Sequence, residues 1–180
     1  YVAGATTINR AVLTITASNG SITYGGVPPA FTPAYGGFVN GDSPASLTTA
    51  PTCSTTATGA SPVAGSPYSS SCAGAVDPNY SFAYVAGSVT ITPVPLTVTA
   101  ASSSMTYGGT PPAIAPAYGG FVNGDTASSL TTKPTCVTTA TSASPVAGSP
   151  YSSSCTGAVD ANYTLTCLPG SVTVNEAPLT

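Results

Sequence analysis

The sequence predicts an all-β fold, built as two tandem copies of a small β-sandwich or β-grasp-like domain. Two observations lead to this prediction. Short runs of alternating apolar and polar residues, rich in β-branched side chains, are separated by turns to which 19 Gly and 18 Pro contribute. The chain also repeats itself after about 83 residues without a gap, which is the length of a small domain.

The repeat predicts the domain boundaries. Residues 13–95 align with residues 96–178, with roughly two-thirds of the positions identical, so these ranges are predicted to be repeat domains 1 and 2. Residues 1–12 match the end of a repeat and are predicted to be the last strand of a preceding copy, or a donor strand. Residues 179–180 match the start of a following copy.

Period-2 alternation predicts the strands within each copy. The segments Leu96–Ala100 and Ser171–Val174 alternate as half-buried strands do. The run Asn79–Tyr84 is expected to form a hairpin with Ser88–Thr92, since Ala86 and Gly87 between them resemble a turn.

At most one short helical turn is expected in each copy. It would follow Asp42, or Asp125 in the second copy, whose side chain would cap it. The predicted core consists of large apolar side chains in both copies: Tyr24, Phe38, Leu47, Tyr80, Phe82 and Val89, with Tyr107, Phe121, Leu130, Tyr163, Leu165 and Val172 one period on.

The composition excludes several classes of function. Only 4% of the residues are charged, and the net charge is -3. Nucleic acid binding and a polybasic membrane-surface patch need clustered Lys and Arg, whereas Arg10 and Lys133 stand alone. Without His or Trp, the chain cannot build a Ser-His-Asp or Cys-His nucleophile or a His-ligated metal. No apolar run approaches the roughly 20 residues of a spanning helix. We therefore expect no enzyme activity, no cofactor and no membrane span in this segment.

Four segments of the first copy carry a family resemblance, and all four recur in the second: Tyr24–Gly26, Gly37–Asp42 with Leu47 following, Asn79–Tyr80 and Gly87–Thr92. They resemble the MBG domain of the YGX type, which occurs as tandem copies in large bacterial surface and secreted, adhesin-like proteins. The resemblance covers both copies almost end to end. It implies an extracellular repeat unit with no enzymatic role.

The cysteines recur in pairs. Cys53 and Cys72 have counterparts in Cys136 and Cys155, so one disulfide per domain is predicted, each closing a loop with little apolar content. Loop closure of this length stabilises a domain by about 3 kcal/mol. The alternatives are reduced buried thiols and a four-cysteine zinc site, whose usual short ligand spacing is missing. Disulfides imply an oxidising, extracellular compartment.

Cys167 is the odd cysteine. It replaces Tyr84 in the alignment of the two copies, on the face of the strand that is predicted to point inward. A buried free thiol is the expectation, and an intermolecular bridge is the alternative.

Two further motifs each allow a structural and a functional interpretation. Asp42 and Asp77 could lend oxygens to calcium, but capping of a turn is favoured because a calcium site needs about six to eight oxygens. Asn79-Tyr80-Ser81 and Asn162-Tyr163-Thr164 fit the N-glycosylation pattern, but are expected to act as turn residues that open a strand.

Two functions remain. The first is a structural protein of the cell surface or extracellular space, a stalk, fibre or filament of end-to-end domains that supports adhesion. The second is a carbohydrate- or protein-binding adhesin module, with surface glycans as possible partners. The near-identity of the copies favours the first, because spacers are interchangeable whereas a dedicated binding domain usually differs from its neighbours.

A predicted assembly strand lies at the N-terminus. It consists of Tyr1, Val2, Ala3, Gly4, Ala5, Thr6, Thr7, Ile8 and Asn9, which match the second strand of the expected hairpin but lack the first. An unpaired strand leaves backbone groups that seek a partner. We expect head-to-tail self-association with further copies of the same domain, either by strand donation between molecules or within one covalent array.

Overall fold

The computed structural model describes residues 4–179, which divide into two compact units at the boundary between Thr92 and Pro93. The strands of the first unit are β1 Ala11–Ala17, β2 Gly20–Thr23, β3 Pro33–Gly36, β4 Thr52–Thr55, β5 Tyr68–Ala73, β6 Tyr80–Val85 and β7 Gly87–Thr92. Those of the second are β8 Val94–Ala100, β9 Ser103–Thr106, β10 Pro116–Gly119, β11 Thr135–Thr138, β12 Tyr151–Thr156, β13 Tyr163–Leu168 and β14 Gly170–Asn175.

Each unit is a sandwich of two sheets. In the first, a three-stranded sheet with the order β3-β1-β6 packs on a four-stranded sheet with the order β2-β7-β5-β4. The second repeats this arrangement as β10-β8-β13 and β11-β12-β14-β9. The predicted all-β class with two similar domains is therefore confirmed, and both layers are sheets.

The core follows from the period-2 pattern of the strands. In β1, Leu13, Ile15 and Ala17 point inward and are at most 3% exposed. They pack on Cys72 of β5 and Tyr80 of β6, so side chains from both sheets interleave. Val98, Ala100, Cys155 and Val172 belong to the matching core of the second unit.

The predicted core residues are buried to different degrees. Tyr24, Tyr80 and Val89 are buried, as are Leu130, Tyr163 and Val172. Phe38, Leu47 and Phe82 are half-buried, as are Phe121 and Leu165, while Tyr107 is 49% exposed and its predicted burial is wrong. Leu13 and Ile15 of β1 are fully buried although the predicted core does not contain them.

The predicted hairpin is wrong. β6 and β7 lie in different sheets, because only Ala86 separates them and the shortest common hairpin loop has two residues. β6 pairs in parallel with β1, whereas β7 pairs in parallel with β2 and antiparallel with β5. The chain thus crosses from one sheet to the other at residue 86.

The helical turns differ in detail from the prediction. A 3-10 turn at Pro44–Ser46 follows Asp42, but Ser43 is its N-cap. Further 3-10 turns at Val63–Gly65 and Val146–Gly148 were not predicted, so the first unit has two where at most one was expected. β1 also begins at Ala11, so Ala11 and Val12 open the first domain and do not belong to a preceding strand.

Candidate functional site

A tight turn connects β3 to the 3-10 turn of the first domain. The backbone N–H of Asp42 donates to the carbonyl of Val39 at 3.0 Å. Between them, Asn40 has a φ of 58° and Gly41 a φ of 80°, as a type I′ turn requires at both central positions. Asn-Gly is the usual pair for this turn, because Asn and Gly tolerate the left-handed region.

The hydroxyl of Tyr80, at the start of β6, holds this turn in place. It donates to Oδ2 of Asp42 at 2.7 Å and accepts from the N–H of Val39 at 3.1 Å. In the second domain the hydroxyl of Tyr163 donates to Asp125 at 2.7 Å. Asp42 therefore does not cap the helical turn as predicted, because its carboxylate is held by the tyrosine.

The ionisation of Tyr80 follows from these contacts. The hydrogen bond from the Val39 N–H favours the phenolate, but burial and the nearby carboxylates of Asp42 and Asp77 outweigh it and raise the pKa of Tyr80 above its ordinary value of 10.0. Tyr80 is thus a neutral hydrogen-bond donor at physiological pH. Among residues 4–179, the structure contains no group of three or more His, Cys, Asp or Glu side chains that could hold a metal ion.

Both predicted disulfides are present. Cys53 faces Cys72 across β4 and β5, and Cys136 faces Cys155 across β11 and β12. Each bond ties the outermost strand of the four-stranded sheet to its neighbour, and the alternative of reduced thiols is wrong. Two structural disulfides indicate a non-cytoplasmic protein. Within the described range, no helix is long and apolar enough to cross a membrane.

Cys167 is exposed, so the predicted buried thiol is wrong. Its counterpart Tyr84 is itself 43% exposed, and its hydroxyl accepts a hydrogen bond from the N–H of Ala75 at 3.0 Å. Burial falls along β6 from Tyr80 to Tyr84, because the strand runs beyond the core. Alternation alone did not reveal this.

The predicted assembly strand is only partly described. Residues Tyr1, Val2 and Ala3 lie outside the described residues, and residues 4–9 are exposed and form no strand. Their counterpart in the repeat is β7, which pairs with β2 and β5 and not with the first strand of a hairpin. The partners that such a strand would need are therefore copies of β2 and β5.

Two buried serines were missed by the sequence analysis. Ser70 and Ser153 are at most 1% exposed, and their hydroxyls donate to the carbonyls of Ser18 at 2.7 Å and Ala101 at 3.0 Å. Each thereby ties β5 or β12 to the turn that follows the first strand of its domain. The segment Ala60–Cys72, which recurs unchanged in the second copy, was the available signal.

A shallow groove of about 780 Å³ lies beside β6 in the first domain. Its lining includes the charged residues Arg10 and Asp77 and the aromatic ring of Phe82. Phe82 stacks on Tyr84 with ring centroids 6.4 Å apart. The second copy has Pro93, Leu165 and Cys167 in place of Arg10, Phe82 and Tyr84.

The sequence profile of the MBG domain (YGX type) matches residues 13–90 and 96–173, which is most of each domain. The chain belongs to the MBG domain family of the YGX type. No curated protein matches it. The comparison identifies these repeat domains and no catalytic family.

The contacts of Tyr80 explain two of the sequence features of these MBG domains. The box Gly37–Asp42 and the pair Asn79–Tyr80 are far apart in the chain, and the Tyr80 hydroxyl joins them. Phe38 of the box packs edge-on against the Tyr80 ring at 5.7 Å. The motif residues thus join the Asn-Gly turn to the start of β6, at the end of the sandwich where each domain begins.

Proposed function

We propose that this pair of MBG domains is a non-enzymatic structural segment of an extracellular or cell-surface protein. In it, β domains linked end to end form a stalk, fibre or filament that supports adhesion. The observation that carries the proposal is the position, in each sheet, of the strands through which the chain enters and leaves a domain.

The entry and exit strands are interior strands. β1 lies between β3 and β6, and β7 lies between β2 and β5. β8 and β14 hold the same places in the second domain. Tension along the chain would reach strands that are hydrogen-bonded on both sides, so two ladders must shear together. An edge strand could instead be peeled off one residue pair at a time.

The disulfides support the same role. Each closes a segment with a sequence separation of 19, so the residues between the cysteines cannot extend when a domain unfolds under tension. A partly unfolded domain would therefore remain shorter and refold from a restricted ensemble. Both domains carry this restraint at the same position.

We propose that the array is covalent. Strand donation between molecules needs an acceptor sheet that lacks the strand equivalent to β7, whereas β7 and β14 fill this place in the two domains. Within the chain, β7 ends at Thr92 and β8 begins at Val94, so the two domains follow each other without a flexible Gly/Ser linker.

Single-molecule force spectroscopy tests the proposal. When the full chain is pulled by its ends, we expect two unfolding events of similar length at similar force. Reduction of the disulfides should lengthen each event by about 65 Å, the extended length of the residues that the bond encloses.

A second pulling geometry provides the matched control. Handles at Arg10 and Asn79 flank the register pair Ala11 and Tyr80, so force there peels β6 from β1. This geometry should unfold the first domain at clearly lower force. If end-to-end pulling needs no more force than peeling, a role under tension is wrong.

Deletion of residues 1–10 tests the covalent version of the array. The shortened chain should keep the fold and the oligomeric state of the full chain, measured by light scattering. Self-association that disappears with the deletion would favour strand donation instead.

The groove of the first domain favours a second candidate function, a carbohydrate-binding module. An aromatic face beside Arg10 and Asp77 is the combination that stacks on a sugar ring and hydrogen-bonds its hydroxyls. A glycan array would detect this binding. Phe82→Leu, which installs the residue of the second copy, should abolish the binding. If the chain binds no glycan on the array, the carbohydrate-binding function is wrong and the structural role remains.

A further inference from the structure

Asn79 and Asn162 occupy the same place in the two domains. Each directly precedes an edge strand, β6 in the first domain and β13 in the second. Each is followed by a buried tyrosine and then by a hydroxyl residue, Ser81 or Thr164. The triplets Asn-Tyr-Ser and Asn-Tyr-Thr are acceptor patterns for N-linked glycans.

The turn before β6 does not need the side chain of Asn79. Oδ1 of Asp77 accepts the backbone N–H of Asn79 at 2.8 Å, and the carbonyl of Asn79 accepts the N–H of Ala11 at 2.9 Å. These bonds use the backbone of Asn79 and the side chain of Asp77. The Asn79 side chain lies at an exposed position and makes no hydrogen bond within residues 4–179. The expectation that the asparagine serves as a turn residue therefore does not account for its side chain.

Asn79 also directly precedes β6, the least protected edge strand of the first domain. Of its edge strands, β2, β3 and β4 have four residues each, β3 begins with Pro33, and the disulfide ties β4 to β5. β6 has six residues without a proline or a charge, and it exposes Tyr84 and Val85. Long uncharged edges invite pairing with other chains, and natural proteins commonly shield them. A bulky, hydrated group at residue 79 would shield the start of this edge.

We propose that Asn79 and Asn162 are acceptor sites of an N-linked glycan. The donor would be a sugar carried on a lipid pyrophosphate. The carboxamide nitrogen forms a bond to C1 of the sugar as the bond from C1 to the phosphate oxygen breaks. The lipid pyrophosphate leaves, and a base of the transferase takes the amide proton. The transfer takes place before β6 has docked, since Ser81 Oγ donates to the carbonyl of Ala11 in the folded domain.

Mass spectrometry of chymotryptic peptides tests the proposal on protein isolated from the cells that make it. We expect peptides with Asn79 and with Asn162 to carry a sugar mass that fragments to an Asn-linked residue. Each asparagine is judged on its own peptide. An unmodified asparagine at both positions, or sugars on Ser and Thr hydroxyls alone, would overturn the proposal.

Two substitutions of the hydroxyl residue provide matched controls in the same cells. Ser81→Ala should abolish the glycan on Asn79 and leave that on Asn162 in place. Ser81→Thr keeps the acceptor pattern and should retain both. Formation of the Cys53–Cys72 disulfide in each variant shows that the domain has folded, so loss of the glycan would not reflect misfolding. A glycan on Asn79 that survives in Ser81→Ala would overturn the proposed acceptor pattern.

Discussion

The hydroxyl of Tyr80 accepts and donates at the same time. It replaces water for two groups of the Asn-Gly turn, the N–H of Val39 and the carboxylate of Asp42. The ring beneath it is 2% exposed, so the turn is held over the core. A tyrosine at this position therefore contributes both apolar burial and a specific hydrogen bond. Phenylalanine would supply the burial but not the hydrogen bond.

Tyr80→Phe should destabilise the first domain by about 1–3 kcal/mol, since it leaves the N–H of Val39 and the Asp42 carboxylate without their partner. Urea unfolding measures the loss of stability. Hydrogen exchange of the β6 amides in the folded protein shows whether this strand opens more often. Tyr84→Phe is the matched control, because its hydroxyl bonds an N–H at the exposed end of the same strand. Equal losses in the two variants would contradict the role of Tyr80.

Aliphatic residues of β1 should contribute more to the stability of the first domain than the aromatic residue Phe38 of the family motif. Leu13 is 0% exposed at the centre of the first sheet, whereas Phe38 is half-buried at its margin. Leu13→Ala should cost about 3 kcal/mol or more, within the range for buried leucines. Phe38→Ala should cost about 2 kcal/mol, below the range for a fully buried ring. Chemical denaturation of both variants would contradict this order if Phe38→Ala proved the more damaging.

The crossover between β6 and β7 is the element that defines the sandwich. Gly87 opens β7 where the chain passes the carbonyl of Ala17, and a Cβ there would lie 2.5 Å from that oxygen and 2.5 Å from Oγ of Ser70. Only glycine fits between these backbone and side-chain atoms. Gly170 lies against the carbonyl of Ala100 in the same way.

Gly87→Ala should therefore lower the stability of the first domain by about 1–3 kcal/mol, the range for overpacking in a tight site. Gly36→Ala is the matched control in another strand, since a Cβ at Gly36 meets no atom within 4 Å. Thermal unfolding should show a lower midpoint for Gly87→Ala alone. An unchanged midpoint would mean that the crossover can move aside.

At the scale of the whole molecule, each domain has the parts of an independent folding unit. The first has its own cluster around Leu13, Ile15 and Tyr80, and the second has its own around Val98 and Val172. Each contains one disulfide that does not cross the boundary. Within the described residues, the strands of each sheet come from one domain only.

A fragment of residues 93–180 should accordingly fold alone under oxidising conditions. We expect dispersed NMR signals, a cooperative unfolding transition and a Cys136–Cys155 bond by peptide mapping. Failure to fold, or a bond from Cys136 to Cys167, would show that the second domain depends on the first. Cys167→Ser in the same fragment distinguishes mispairing from an unstable fold.

The sequence by itself determined the all-β class, the two copies and the pairing of the cysteines. These features depend on local alternation and on identity between the copies, both of which can be read along the chain. The pairs Cys53–Cys72 and Cys136–Cys155 followed because each pair recurs at one spacing. The turn at Asn40-Gly41 likewise has a local cause in the conformations that the two residues tolerate.

Only the tertiary structure decided which strands pair and which side chains are buried. Strand pairing is non-local, so the segments on either side of Ala86 resembled a hairpin but belong to different sheets. Cys167 kept the alternation of an inward position, yet it is exposed, because β13 extends past the core that alternation cannot locate. The hydrogen bond between Tyr80 and Asp42 could not be predicted for the same reason, since it joins residues that only the folded sandwich brings together.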